Sequence, residues 1–197
     1  MTDKVLRRLY NWTMNLAGHR RASWGLAGVS FAESSFFPIP PDVVLIPMIL
    51  ANRAKAFRYA ALATVFSVLG GIAGYAIGAF LFDAVGRPLL EFYGALDKFD
   101  AFRLGYNEQG AWIVFFFGVT PFPYKVITVA SGVTALDPMT FLAASVAARG
   151  LRFFLVAALL WRFGEPIRQF IERYLGALTV IFMVCLVGGF VAVRYFL

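Results

Sequence analysis

Three apolar stretches dominate the pattern of hydrophobic and polar positions. Residues 60–82 contain no charged side chain. About 23 such residues make roughly 34 Å of helix, enough to cross a hydrocarbon core ~30 Å thick. Residues 176–196 carry one charge, Arg194, near enough to the end for its stem to stay in lipid while its head reaches water. Residues 139–161 are apolar except for Arg149 and Arg152. The pattern predicts three transmembrane helices, at about 60–82, 139–161 and 176–196. Arg149 would then fall near the bilayer midplane.

Two further apolar segments are interrupted. Residues 24–52 contain Phe37-Pro38-Ile39-Pro40-Pro41-Asp42, and residues 110–134 contain Thr120-Pro121-Phe122-Pro123-Tyr124-Lys125. Closely spaced prolines break the helical ladder and force a turning or extended path. The flanking arms hold only about 9–13 residues each, roughly half a membrane thickness as helix. This pattern predicts two re-entrant hairpins, formed around Pro38, Pro40 and Pro41 and around Pro121 and Pro123. A full span with a proline kink is the alternative. Open backbone at that depth must be buried in protein or line a wet cavity.

The two broken segments also align with each other. Pro38-Ile39-Pro40-Pro41-Asp42-Val43-Val44 matches Pro121-Phe122-Pro123-Tyr124-Lys125-Val126-Ile127 without gaps, and the long spans that follow end in Gly86-Arg87-Pro88-Leu89 and Gly164-Glu165-Pro166-Ile167. One hairpin plus one span crosses the membrane once, so two such units would be inverted, as in many secondary transporters. The expected fold is an all-α polytopic membrane protein. Two oppositely oriented re-entrant hairpins would pack among three transmembrane helices.

Composition strengthens this picture. The 197 residues are 60% hydrophobic and 15% charged, with mean hydropathy +0.74, an excess of apolar residues over what a soluble core needs. The net charge of +7 comes from basic residues at the borders of apolar stretches, which argues against nucleic-acid binding. Residues 1–22 place Val5, Leu9, Trp12 and Leu16 at helical spacing, the mark of an amphipathic surface helix. Residues 23–197 then form a single membrane domain. Lys and Arg concentrate in the N-terminal segment, residues 51–59 and residues 162–174, whereas acidic side chains outnumber basic ones in residues 83–109 and 134–138. The positive-inside rule puts the N-terminus in the cytoplasm. With one Cys and one His, neither an intrachain disulfide nor a zinc site is expected. The chain suggests no cofactor.

Besides Arg194 near the end of its span, five charged residues fall inside the apolar segments: Glu33, Asp42, Lys125, Arg149 and Arg152. Charges persist at that depth mainly when paired, facing water or working on a substrate. Asp42 opens the second arm of the first hairpin, where it could cap free N–H groups or serve function. Lys125 holds the matching place in the second hairpin, where a cation opposes the helix dipole. It could pair with Asp42, hold an anionic ligand, or reach toward an interface. Glu33 could carry protons or pair statically with an arginine. Arg149 and Arg152 share one helix face and suit bidentate phosphate binding. Gly70, Gly74 and Gly78 form a small-residue stripe read as packing.

The segments Glu33-Ser-Ser-Phe-Phe-Pro-Ile-Pro-Pro-Asp42, Gly118-Val-Thr-Pro-Phe-Pro-Tyr-Lys-Val-Ile-Thr-Val-Ala-Ser-Gly132 and Ala148-Arg-Gly-Leu-Arg-Phe-Phe154 resemble the DedA family, also called the VTT-domain or SNARE-associated Golgi protein family, and within it the YqaA-type branch. The resemblance implies facing re-entrant hairpins, a multi-pass bacterial inner-membrane location, and flipping or scrambling of lipids such as undecaprenyl phosphate. It implies membrane-acid roles for Glu33 and Asp42, and a basic role for Lys125. Many relatives place an Arg three residues before the second hairpin's proline. This chain has Gly118 there, so Arg149 and Arg152 would supply the charge.

The expected function is therefore a lipid flippase or scramblase for phospholipid or polyprenyl-phosphate lipids. Its partners would be membrane lipids, with protons as a candidate coupling ion. Glu33 and Asp42 would handle charge, and Lys125, Arg149 and Arg152 would hold the anionic head group. A proton-coupled solute transporter and a non-transporting membrane organiser are the alternatives. An enzyme is not expected, because the membrane segments hold no His and Asp42 is their only Asp.

Overall fold

A computed structural model describes residues 22–36, 39–120, 122–164 and 166. The amphipathic segment before residue 22, the span at 176–196, Pro38 and Pro121 lie outside the described residues. The described chain is all-helical: α1 (Ala22–Ser35), α2 (Asp42–Ala51), a 3-10 turn (Arg53–Lys55), α3 (Ala56–Leu81), a π turn (Phe82–Gly86), α4 (Arg87–Phe92), α5 (Leu96–Glu108), α6 (Gly110–Val119), α7 (Tyr124–Val133) and α8 (Pro138–Phe163).

Both apolar broken segments form pairs of short helices. Proline falls in the breaks because it lacks the N–H that a helical ladder needs. α8 starts cleanly: Asp137 accepts from the Thr140 N–H at 2.7 Å and from its hydroxyl at 2.8 Å, and Pro138 occupies the first turn, where no N–H partner is required. The Thr140 N–H, then the hydroxyl, hold the Asp137 carboxyl below its ordinary value. The cap is therefore at full strength above that ordinary value and is lost as pH falls through the lowered one.

One boundary differs from expectation. The helix expected over 60–82 starts at Ala56 and runs on, so that residues Arg53–Phe92 form one 40-residue helical stretch. The π turn at Phe82–Gly86 explains the continuation. Its wider turn accommodates Pro88, whose ring would clash within a regular α-helical ladder. This stretch and Pro138–Phe163 are each long and apolar enough to cross a membrane.

α3 packs against α1, α7 and α8, while α8 packs against α6, α3 and α2. Each long helix thus takes the first arm of its own unit and the second arm of the other. Close approach depends on glycine. A Cβ on Gly70 would strike the Phe31 carbonyl of α1, and one on Gly78 the Val129 carbonyl of α7. Because backbone cannot swing aside, Gly78→Ala should lower stability by about 1–3 kcal/mol, the usual range for overpacking. Thermal unfolding in detergent checks this, with Gly25→Ala as control, since a Cβ at Gly25 meets nothing.

Two apolar clusters result. One joins Leu26, Leu45, Met48, Ile49, Phe153 and Leu160. The other joins Tyr106, Val114, Tyr124, Ile127, Leu136 and Phe141.

Candidate functional site: a buried two-arginine junction

Arg149 sits where the two clusters meet. Its guanidinium carbon lies 4.8 Å from the Tyr124 ring centroid and 4.7 Å from that of Phe153, one ring from each cluster. Only 1% of Arg149 is exposed. Such burial of a cation is tolerable only with an excellent partner. Glu33, two residues before the end of α1, provides it: Arg149 Nη2 donates to Glu33 Oε2 at 2.7 Å. Arg149 Nε donates to Ser67 Oγ at 2.7 Å. Ser67 and Ser34 share a 2.7 Å hydroxyl contact, and Ser34 Oγ donates back to Glu33 Oε2 at 3.2 Å. The four side chains close a ring of hydrogen bonds drawn from α1, α3 and α8.

Arg152, one helical turn on, holds the two breaks together. Its Nη2 donates to Asp42 Oδ2 at 2.5 Å, and its Nη1 to the Thr120 carbonyl at 2.7 Å. Asp42 begins α2, and Thr120 follows the last residue of α6. One guanidinium therefore ties the start of the second helix of one broken segment to the end of the first helix of the other. This pair is more open than the first, with side chains 16% and 20% exposed. Facing it across the junction, Tyr124 opens α7 and donates to Ser145 Oγ at 2.5 Å.

Four of the five expected charges converge here: Glu33, Asp42, Arg149 and Arg152. Asp42 makes no side-chain cap to α2; its carboxylate faces Arg152 instead. Lys125 does not pair with Asp42 and makes no ion pair among the described residues. It is half-buried in the first turn of α7. Pro41 is the residue ahead of α2 and Pro123 the residue ahead of α7, with Pro40 exposed beside Pro41. Among the described residues no group of metal-ligating side chains comes together.

Sequence reasoning missed Ser34, Ser67, Tyr124, Ser145 and the Thr120 carbonyl. One signal was present. Ser67 lies as far before Gly86 as Ser145 lies before Gly164, so the repeat places a serine at matching points of the two long helices. Both serines are fully buried and hydrogen-bonded.

Protein encloses Arg149, while Arg152 and Asp42 are partly open. A cleft of about 270 Å³ lies elsewhere, lined by Phe82, Asp83, Arg87, Phe99, Asp100 and Arg103 among others. It shares no residue with the arginine junction. The charges of the junction are buried or half-buried and paired with one another, whereas the charges of the cleft are solvent-exposed.

No known family model matches this chain, and neither does any solved structure. Two bacterial proteins do. An "Uncharacterized protein" of Haemophilus influenzae is 37% identical over 173 residues, covering 86% of this chain and 90% of the relative. The "Uncharacterized protein HI0703 homolog" of Histophilus somni is likewise 37% identical over 173 residues, with the same coverage. At that identity and coverage, the chain belongs to the family of these two bacterial proteins.

Proposed function

We propose that this protein is an inner-membrane lipid flippase or scramblase of the DedA type. Its substrates would be phospholipids or polyprenyl-phosphate lipids, with proton coupling through Glu33 or Asp42. Its broken segments would be re-entrant hairpins of opposite orientation, and its N-terminus cytoplasmic. The observation that carries this reading is that Arg152 joins both breaks, one turn from the paired Arg149, on a helix long and apolar enough to span. Guanidinium groups suit a phosphate head group, and buried charges beside matching acids on an apolar helix support such a role.

The surface supports membrane residence. Only 33% of the most apolar window in each long helix is buried by the rest of the protein. Val65, Leu69, Ile72, Ile77 and Phe80 on α3 face outward, as do Val146, Leu151, Phe154 and Leu155 on α8. A soluble protein would cover such helices, whereas lipid solvates them.

One observation favours a second reading. The ring around Arg149 is fully satisfied, as a static, membrane-organising protein would have it. The two readings part in purified liposomes. A translocase moves fluorescent lipids between leaflets, and the rate responds to an imposed pH gradient if protons are coupled. The static protein gives the rate of empty liposomes for every head group tested.

A further inference from the structure

The two arginines are not equivalent. Arg149 is 1% exposed, stacked between two rings and closed into a ring with Glu33, Ser34 and Ser67. A ligand could reach its guanidinium only by dismantling three helices' worth of contacts. Arg152 faces partial exposure, and its anionic partner Asp42 is the most exposed of the four paired side chains at 20%. A carboxylate and a phosphate present the same acceptor geometry to a guanidinium.

We propose that a phosphate group binds this protein by exchange. It takes the place of Asp42 on Arg152, while Arg149 stays paired with Glu33 and acts as a positioning residue that sets the height and tilt of α8 at the junction. The inference rests on the lipid-transport reading for its ligand class and names which of the charges does the binding. Exchange also has a mechanical consequence. Arg152 holds Asp42 of α2 and the Thr120 carbonyl after α6 together. A phosphate that displaces Asp42 unties the first hairpin from the second and frees α2 to move. Asp42 then acts as an internal competitor, standing in for the ligand when the site is empty. The guanidinium stays paired through the swap, and the charge of the displaced carboxylate is taken up by water or a proton at its exposed edge. The displaced carboxylate turns to the partly exposed side it already occupies. No bond is made or broken beyond these ionic contacts.

The test is equilibrium binding to the purified full-length protein in detergent. The probes are dihexanoyl phosphatidic acid, a soluble phosphate lipid, and inorganic phosphate. Removing a competitor strengthens binding, so Asp42→Asn should tighten phosphatidic acid binding by about tenfold, the shift expected when roughly 1.4 kcal/mol of competition is lost. Asp42→Ala serves if the asparagine variant does not fold. Asp83→Asn, an exposed carboxylate away from the junction, should give no tightening, and Arg152→Gln on the Asp42→Asn background should erase the gain. A gain for phosphatidic acid alone identifies a lipid as the ligand source. An equal gain for inorganic phosphate shows that the phosphate group itself suffices. Unchanged or weaker binding in the folded Asp42 variants overturns the exchange, as does an equal gain in Asp83→Asn. Because the readout requires no lipid movement, tightening without translocation would defeat the transport reading alone. Translocation without tightening would defeat the exchange alone.

Discussion

Arg149→Gln should cost about 3–5 kcal/mol of stability, the penalty for breaking a buried ion pair from one side. The loss follows from what remains behind. Glu33 would keep a charge with its side chain 12% exposed, and Ser67 would lose its Nε donor. Amide length falls short of both, and the Tyr124 and Phe153 rings lose the cation between them. The expected result is a protein recovered in low yield, with a clearly depressed unfolding temperature in detergent. Replacing both partners separates structure from function. Glu33→Met with Arg149→Leu removes both charges and leaves Ser34 and Ser67 bonded to each other. Buried ion pairs are often matched by apolar residues of similar volume, so the double variant should regain most of the lost stability. A double variant as unstable as Arg149→Gln would mean that the ring is held by something other than charge pairing.

Arg152→Gln is the second large effect, and it should fall on function more than on stability. The Asp42 pair is partly exposed, so its loss is moderated by water. The expected stability change is about 1.5–3 kcal/mol, typical of hydrogen bonds to charged groups. Lipid translocation in reconstituted liposomes should drop to the protein-free rate, because the guanidinium that bridges both breaks is gone. Arg152→Lys keeps the charge but cannot reach Asp42 and the Thr120 carbonyl as a planar fork. It should retain fold and lose most transport. If Arg152→Gln liposomes translocate like wild type, Arg152 is not the head-group residue.

Much of this arrangement was legible in the residues. Period and length marked α8 within two residues of its ends, and the clustered prolines marked both breaks. The spacing of Arg149 and Arg152 put them on one face. What a sequence pattern cannot specify is which faces meet across elements. Glu33 was free to pair with either arginine, and Asp42 with Lys125. The fold gives Glu33 to Arg149 and Asp42 to Arg152, leaving Lys125 apart. Tyr124 looked like one more residue of a break, yet its ring and hydroxyl serve Arg149 and Ser145. Ser34 and Ser67 were invisible for a simpler reason. Hydroxyl side chains in apolar helices usually bond their own backbone, as Thr64 does to the Ala60 carbonyl, and only packing reveals a partner on another helix. The run-on from α3 into α4 was hidden because Pro88 normally ends a helix, and a π turn is not written in any residue pattern.

The account depends on each broken segment returning to the face it entered from. Sided labelling with a membrane-impermeant thiol reagent measures this directly, in a Cys185→Ser background with single cysteines at Ser23, Ala54, Gln109 and Met139. Re-entrant hairpins predict that Ser23→Cys and Ala54→Cys react only from the cytoplasmic face, and that Gln109→Cys and Met139→Cys react only from the opposite face. Labelling of Ser23→Cys and Ala54→Cys from opposite faces would make the first segment a kinked span and contradict the account.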